Sequence, residues 1–117
     1  MAKILDGVRV RHVRQSSCPA RFADVVVDVH ASAGAGRVTV DVRTMEQVPE
    51  PVPPELLDAF RAGLEHHVRQ RPDVREHDIA VVLRRVVWHH VDSMPSSFRD
   101  VAELVVDRIS AALMLTR

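Results

Sequence analysis

The chain has 117 residues, of which 46% are hydrophobic and 27% are charged, and its formal net charge is zero. These values are typical of one soluble globular domain, so we expect a single domain over residues 1–117. A neutral chain argues against a general nucleic-acid coat. Only 3% of the residues are aromatic and none is Tyr, so platforms on which single-stranded bases could stack are scarce.

The charge is unevenly distributed along the chain. From Met1 to Arg21 the basic residues outnumber the single acid, Asp6, by four, and the remainder therefore carries a balance of −4. Such a basic segment on a neutral chain favours a local anionic contact. Arg9, Arg11 and Arg14 in this segment either contact phosphates or protect the edge of a sheet from aggregation.

The single cysteine, Cys18, excludes an intrachain disulfide and favours a reducing compartment. The first residues include Asp6 where a signal peptide would need an apolar run. No stretch approaches the roughly 18 apolar residues of a membrane span. We therefore expect a cytoplasmic protein with no membrane partner.

Three strands are predicted in the first part of the chain. Val8–Arg14 alternates loosely, and the next two strands alternate valines with polar residues over Phe22–Ala31 and Arg37–Arg43. Residues 32–36 include two glycines and predict a turn that joins the second and third strands as an antiparallel hairpin. Clean alternation indicates one packed and one solvated sheet face.

A helix, a strand and a second helix follow. The apolar stripe of the first helix runs from Pro54 to about Gln70. The fourth strand runs from Ile79 to Trp88, with a bulge expected at Arg84–Arg85 because that pair breaks the alternation. The last helix begins near residues 93–97, where Ser97 and Asp100 have capping-box spacing.

The element order is therefore βββαβα. It predicts an α+β fold, a two-layer sandwich in which a four-stranded, mostly antiparallel sheet carries both helices on one face.

Three segments resemble domain IV of the elongation factor G family of translational GTPases. Residues 12–22 read HVRQSSCPARF, in register with the family pattern H-x-x-Q-T-G-G-x-G-Q-F/Y. Residues 88–98 read WHHVDSMPSSF, which is similar to Y-H-x-V-D-S-S-x-x-x-F. Residues 52–56 and 63–65 resemble the family's I-P-x-E…G-I-E helix. The likeness covers roughly Val8 to Leu113 and implies this fold as a stand-alone domain, with a left-handed crossover.

The resemblance also implies a function. In that family the two loops meet at a tip that contacts tRNA and mRNA in the ribosomal decoding region, and the tip histidine corresponds to His89. We therefore predict a non-enzymatic domain that binds RNA or the ribosome through residues 15–21 and 88–92, with ribosomal RNA or tRNA as possible partners. Combined with the basic residues expected nearby, the predicted binding residues are Arg14, Gln15, Ser16, Arg21, Arg84, Arg85, Trp88, His89 and His90.

Other interpretations stay open. The family's first loop is glycine-rich, whereas residues 15–20 contain no glycine, which favours a protein-interaction module that kept the fold and lost RNA binding. Trp88 either stacks on a base or packs at the sheet edge. An enzyme that uses Cys18 or the histidines is a third possibility.

No nucleotide, cofactor or metal is predicted. The sequence contains no G-x-x-x-x-G-K-[ST] phosphate loop. Its seven histidines lack ligand spacing, because adjacent histidines point in different directions on a strand or helix.

Overall fold

The computed structural model describes residues 1–14 and 21–115. The elements follow one another as β1 (Ala2–Arg14), β2 (Arg21–Ala33), β3 (Val38–Asp41), β4 (Glu46–Val48), α1 (Pro54–Arg69), β5 (His77–Val87) and α2 (Pro95–Leu115). The α+β class and the two amphipathic helices are confirmed.

The sheet has five strands rather than the predicted four, and it is mixed. Its order is β1-β2-β5-β3, and β4 also pairs with β5. The β1–β2 and β2–β5 pairs are antiparallel, whereas β3 and β4 run parallel to β5. The predicted third strand is shorter than expected because the chain turns after Asp41, where the Met45 amide donates to the Val42 carbonyl at 3.4 Å. The hand of the β3–α1–β5 crossover stays a prediction.

The predicted hairpin between the second and third strands is wrong, because β5 lies between β2 and β3. The turn at residues 34–37 wraps around the start of β5 instead. Asp78 Oδ1 accepts hydrogen bonds from the amides of Ala35 and Arg37, both at 3.1 Å. These amide donors lower the pKa of Asp78. The turn is therefore stabilised by a carboxylate 41 residues away from Arg37 in the sequence, not by its own residues alone.

The aliphatic side chains of the sheet and both helices form one core on one face of the sheet. The core includes Val25, Val27, Ile79 and Val81 of the strands, packed with the helical residues Phe60, Leu64, Val101 and Val105. The helices cross closely at Gly63, where an added Cβ would lie 2.9 Å from Ala102 Cβ and 3.1 Å from Arg99 Cα. The two-layer arrangement follows from this one-sided burial.

Two local predictions have different outcomes. The bulge at Arg84–Arg85 is confirmed, because the β2–β5 register shifts between Val26, opposite Arg85, and Val27, opposite Leu83. The capping box of Ser97 is wrong, because α2 begins at Pro95 and Ser97 lies inside its first turn. There the Ser97 hydroxyl accepts from the Met94 amide at 3.3 Å.

Among the described residues, no helix is both long enough and apolar enough to span a membrane.

Candidate functional site

Two segments far apart in sequence meet at one end of the sheet. The Phe22 amide donates to the Asp92 carbonyl at 3.0 Å, and the Ser93 hydroxyl donates to the Phe22 carbonyl at 2.8 Å. The same hydroxyl accepts from the His89 amide at 2.9 Å. Ser93 therefore ties the start of β2 to the chain that leaves β5. We call the end formed by Arg14, Arg21, Phe22 and residues 88–93 the tip.

His89 is presented at the tip by an aromatic support. Its ring stacks on Phe22 with centroids 3.9 Å apart and planes inclined by 9°. Its side chain is 50% exposed, and its Nδ1 lies 3.8 Å from Asp92 Oδ2. The Phe22 ring therefore fixes the plane of the imidazole, and about half of the His89 side-chain surface stays exposed to solvent. Phe22 stands at the last position of the first family-like segment, but its contact with His89 joins residues 67 positions apart in the chain.

Trp88 and His90 lie beside each other but differ in exposure. Trp88 is only 5% exposed and belongs to the core. Its Nε1 donates to the Glu50 carbonyl at 2.9 Å, so the packing interpretation of Trp88 describes its position. His90 is exposed, with Nε2 2.7 Å from Glu50 Oε1 and its ring 4.5 Å from the Trp88 ring. Glu50 thus holds both residues.

The arginines predicted near the first loop have different surroundings. Arg14 is exposed at the end of β1 and pairs with Arg21 across the strands. The Arg21 side chain is only 28% exposed, and its Nη1 donates to Asp100 Oδ2 at 2.8 Å. His12 Nε2 lies 3.3 Å from the same carboxylate oxygen. Arg21 therefore links the sheet to α2 more than it faces solvent. Gln15 and Ser16 lie outside the described residues.

Arg84 and Arg85 are not at the tip, contrary to the prediction. Arg85 stands opposite Val26, five residues along β2 from Arg21, or about 17 Å at the usual strand rise. Arg84 Nη1 donates to Asp28 Oδ2 at 2.7 Å, and Arg85 Nε lies 3.5 Å from Glu46 Oε2. Arg84 and Arg85 lie away from the tip because β5 reaches the tip only at its C-terminal end.

The arginines belong instead to a surface that sequence patterning missed, the face of β1, β2 and β5 opposite the helices. We call it the open face; its central charged residues are Arg9, Arg11, Asp24, Asp28, Arg84 and Arg85. Alternation predicted that Asp24 and Asp28 point to solvent, yet they are only 4% and 5% exposed. These acids are buried because they pair with basic residues on neighbouring strands. That pairing can be predicted only when the strand register is known.

A shallow apolar depression of about 470 Å³ lies at the tip, because residues 88–92 form part of its lining. It is lined by residues of β4, of the end of β5 and of the following segment, including Val48, Pro49, Val87 and Val91. Val91 is 86% exposed. An apolar side chain this exposed beside an apolar depression is a feature of interaction sites.

The histidines of the described ranges do not gather into a metal site. Within residues 1–14 and 21–115, no three His, Cys, Asp or Glu residues are grouped so that they could hold a metal ion. Cys18 lies outside these ranges.

Comparison with known proteins finds similarity in structure only. No protein-family model matches the sequence, and no curated protein matches it. A crystal structure of a Thermus thermophilus protein is similar, with a TM-score of 0.60 and 14% sequence identity. The match covers 83% of this chain and 14% of that chain, so this domain corresponds to a small part of a much longer protein. At this identity the likeness concerns the fold alone.

Proposed function

We propose that this domain binds RNA, free or within the ribosome, through the tip and without catalysing a reaction. The observation that carries the proposal is the junction of the two family-like segments. The hydrogen bonds among Phe22, Ser93 and Asp92 hold them side by side, and His89 is presented on Phe22. The resemblance to domain IV of elongation factor G supports the same interpretation, because the tip is the RNA-contacting end in that family.

The chemistry of the tip suits a binding contact. An imidazole donates a hydrogen bond to a phosphate or a 2′-hydroxyl. The stack on Phe22 limits ring motion, so little entropy is lost when His89 contacts a ligand. Arg14 adds an exposed cation at the same end. Ser93 and Asp92 are engaged in structural hydrogen bonds, which favours binding over catalysis.

Cosedimentation with ribosomal subunits at low and moderate salt tests this proposal. We expect association that weakens steeply as salt rises, because phosphate contacts release counterions. His89→Ala should weaken it by about 1 kcal/mol, or about fivefold, the contribution of one hydrogen bond. His66→Ala is the matched control, because His66 is an exposed histidine on α1, and it should leave association unchanged. No association at about 50 mM salt would exclude the RNA function.

A second candidate is a protein-interaction module, favoured by the apolar depression and by Val91. An apolar partner side chain inserted between Val48, Pro49 and Val91 would bury surface that is now solvated. Capture of a stoichiometric partner from nuclease-treated lysate, abolished by Val91→Asp, would support this function. If the same variant instead left partner capture intact, the depression would not be the docking site.

A further inference from the structure

Two buried carboxylates on β2 hold Arg9, Arg11 and Arg84 on the open face, whereas Arg85 lies beside Glu46 of β4. At the first, Arg9 Nη2 lies 2.5 Å from Asp24 Oδ2, and Arg9 Nε donates to both carboxylate oxygens at 3.1 Å. Arg11 Nε lies 3.9 Å from the same carboxylate. The Arg11 guanidinium also sits over the Phe22 ring, 5.6 Å from its centroid, which is within cation–π range.

The second carboxylate, Asp28, has the same role further along the strand. Its Oδ1 accepts from the Gly7 amide at 2.6 Å, and its Oδ2 accepts from Arg84 at 2.7 Å. Lys3 Nζ lies 3.6 Å from Oδ2. Burial works to raise the pKa of Asp28, but the bonds from Arg84 and Gly7 and the charge of Lys3 outweigh it, so the pKa is lowered. Asp28 therefore stays ionised at neutral pH.

The anchored cations keep much of their surface in solvent. The side chains of Arg9, Arg11, Arg84 and Arg85 are 60%, 51%, 52% and 48% exposed. A guanidinium carries five N–H donors, and Arg9 directs only its Nε and Nη2 atoms at Asp24. Four arginines against Asp24, Asp28 and Glu46, which lies beside Arg85, leave one net positive charge, and the two aspartates are buried beneath the exposed cations. Fixing these side chains in advance lowers the entropy lost when they bind an anion.

The dimensions of this array suit an extended polyanion. Asp24 and Asp28 are four residues apart on β2, which is about 13 Å at the usual rise. Arg9 and Arg85 both stand opposite Val26, one strand to each side, so they are separated by about two strand spacings, or about 10 Å. The face thus offers several cations over an area larger than one phosphate group.

The Trp and Phe side chains offer no exposed ring for base stacking on the open face. The chain has one Trp, three Phe and no Tyr, and all four aromatic residues are at most 6% exposed. Phe22, on the open face, is covered by His89 and Arg11. Binding of single strands relies on exposed aromatic rings that stack on bases, whereas duplex RNA is contacted through its phosphates and 2′-hydroxyls.

We infer that the open face binds the phosphate backbone of double-helical RNA, so that the RNA held at the tip continues across the sheet. This inference rests on the proposed function and names its ligand as duplex rather than single-stranded RNA.

The experiment is a fluorescence-anisotropy titration with a labelled RNA duplex of about 16 base pairs, a length that small duplex-binding domains span, and with each of its strands alone. We expect tighter binding of the duplex. The test variant is Arg11→Gln with Arg85→Gln, which keeps Arg9 and Arg84 on the buried aspartates and so preserves the fold. It should lower duplex affinity at least tenfold and reduce the slope of log affinity against log salt by about 2.

Two further variants separate the possible causes. Arg61→Gln with Arg108→Gln removes the same charge from exposed positions on the helical layer and should leave affinity and slope nearly unchanged. His89→Ala should weaken binding of the duplex while keeping its preference over single strands. Circular dichroism melting of each variant establishes that the fold is intact.

The outcomes are distinguishable. Failure of the wild-type protein to bind any RNA overturns both the proposed function and this inference. If RNA binds and His89→Ala weakens it, but the open-face variant behaves like the helical control, only the open-face inference is overturned. Equal affinity for duplex and single strands also overturns it. Binding of an oligoglutamate peptide through Arg11 and Arg85 without binding of duplex would overturn it in favour of an acidic protein partner.

Discussion

On the helix-covered face of the sheet, β2 presents Val25, Val27 and Val29, which are at most 1% exposed. On its open face the same strand presents Asp24 and Asp28, which are nearly as buried, at 4% and 5%. The first set is covered by aliphatic packing against α1 and α2. The carboxylates of the second set accept hydrogen bonds from the guanidinium groups of Arg9 and Arg84 and from the Gly7 amide.

The comparison separates two kinds of burial on one strand. Aliphatic burial is stabilised by removal of apolar surface from water and is sensitive to volume. Burial of a carboxylate requires hydrogen bonds and opposite charge, and is sensitive to protonation. The two faces should therefore respond to different perturbations, and four measurements test that difference.

The largest effect is expected in the core of the helix-covered face. Phe60 is 1% exposed, and Phe60→Ala should lower the free energy of unfolding by about 3–5 kcal/mol through lost burial and a cavity. Val91→Ala is the control, because Val91 is 86% exposed, and it should change stability by no more than about 0.5 kcal/mol. Urea denaturation measures both. Similar midpoints for the two variants would contradict the assigned core.

The crossing of the helices gives a smaller effect. Gly63→Ala would place a Cβ against Ala102 and the Arg99 backbone at 2.9–3.2 Å, and the resulting overpacking should cost about 1–3 kcal/mol. The neighbouring exposed change Ala62→Gly should cost about 1 kcal/mol by helix propensity alone. Urea denaturation of the pair separates crowding from propensity. A more stable Gly63→Ala protein would show that the helices separate easily.

On the open face, the larger expected loss of stability comes from a backbone change at Gly7. Gly7 has φ +60° and its amide donates to Asp28, while an added Cβ would meet nothing within 4 Å. Gly7→Ala should therefore cost about 1–2 kcal/mol through left-handed strain without a clash. Gly7→Asn should cost less, because Asn adopts this conformation more readily. Equal thermal-melting losses for Ala and Asn would argue against strain as the cause.

The smallest effect is a dependence on pH. Because the folded pKa of Asp28 is lowered, its contribution is present above the unfolded pKa of about 3.9 and is lost as pH falls through the folded value. In Asp28→Asn, the loss of stability between pH 7 and pH 3 should be smaller than in the wild type. Urea midpoints at both pH values measure this, and Ser32→Ala, which removes a polar side chain on the same strand without a charge change, is the control. An unchanged acid dependence would mean that Asp28 is not held by its cations.

Much of the fold could be predicted from local sequence patterns. Alternation in residues 22–31 and the apolar stripes of both helices predicted the elements and the core, and the broken alternation at Arg84–Arg85 predicted the bulge. The boundaries were less accurate: β1 extends back to Ala2, beyond the predicted start at Val8, because irregular pairing at residues 3–8 hides its alternation.

Less of the candidate site could be predicted from the sequence. The family-like segments predicted that residues 15–21 and residues 88–92 share one end. The hydrogen bonds to Phe22 bring the residue that follows the first range beside Asp92 and Ser93, while residues 15–20 lie outside the described residues. The positions predicted for Arg84 and Arg85 were wrong, whereas Arg21 does lie at the tip. Arg21 is held by Asp100 on α2, and Arg84 is held by Asp28 on β2.

Local chemistry of the chain was sufficient for the element types, for the apolar side of each element and for a two-layer α+β fold, because side-chain period and turn residues act over a few positions. The insertion of β5 between β2 and β3, the burial of Asp24 and Asp28, and the formation of the open face depended on the assembled sheet. Strand pairing brings together residues tens of positions apart. An isolated strand carries a pattern of alternation but no record of which charge will stand opposite it.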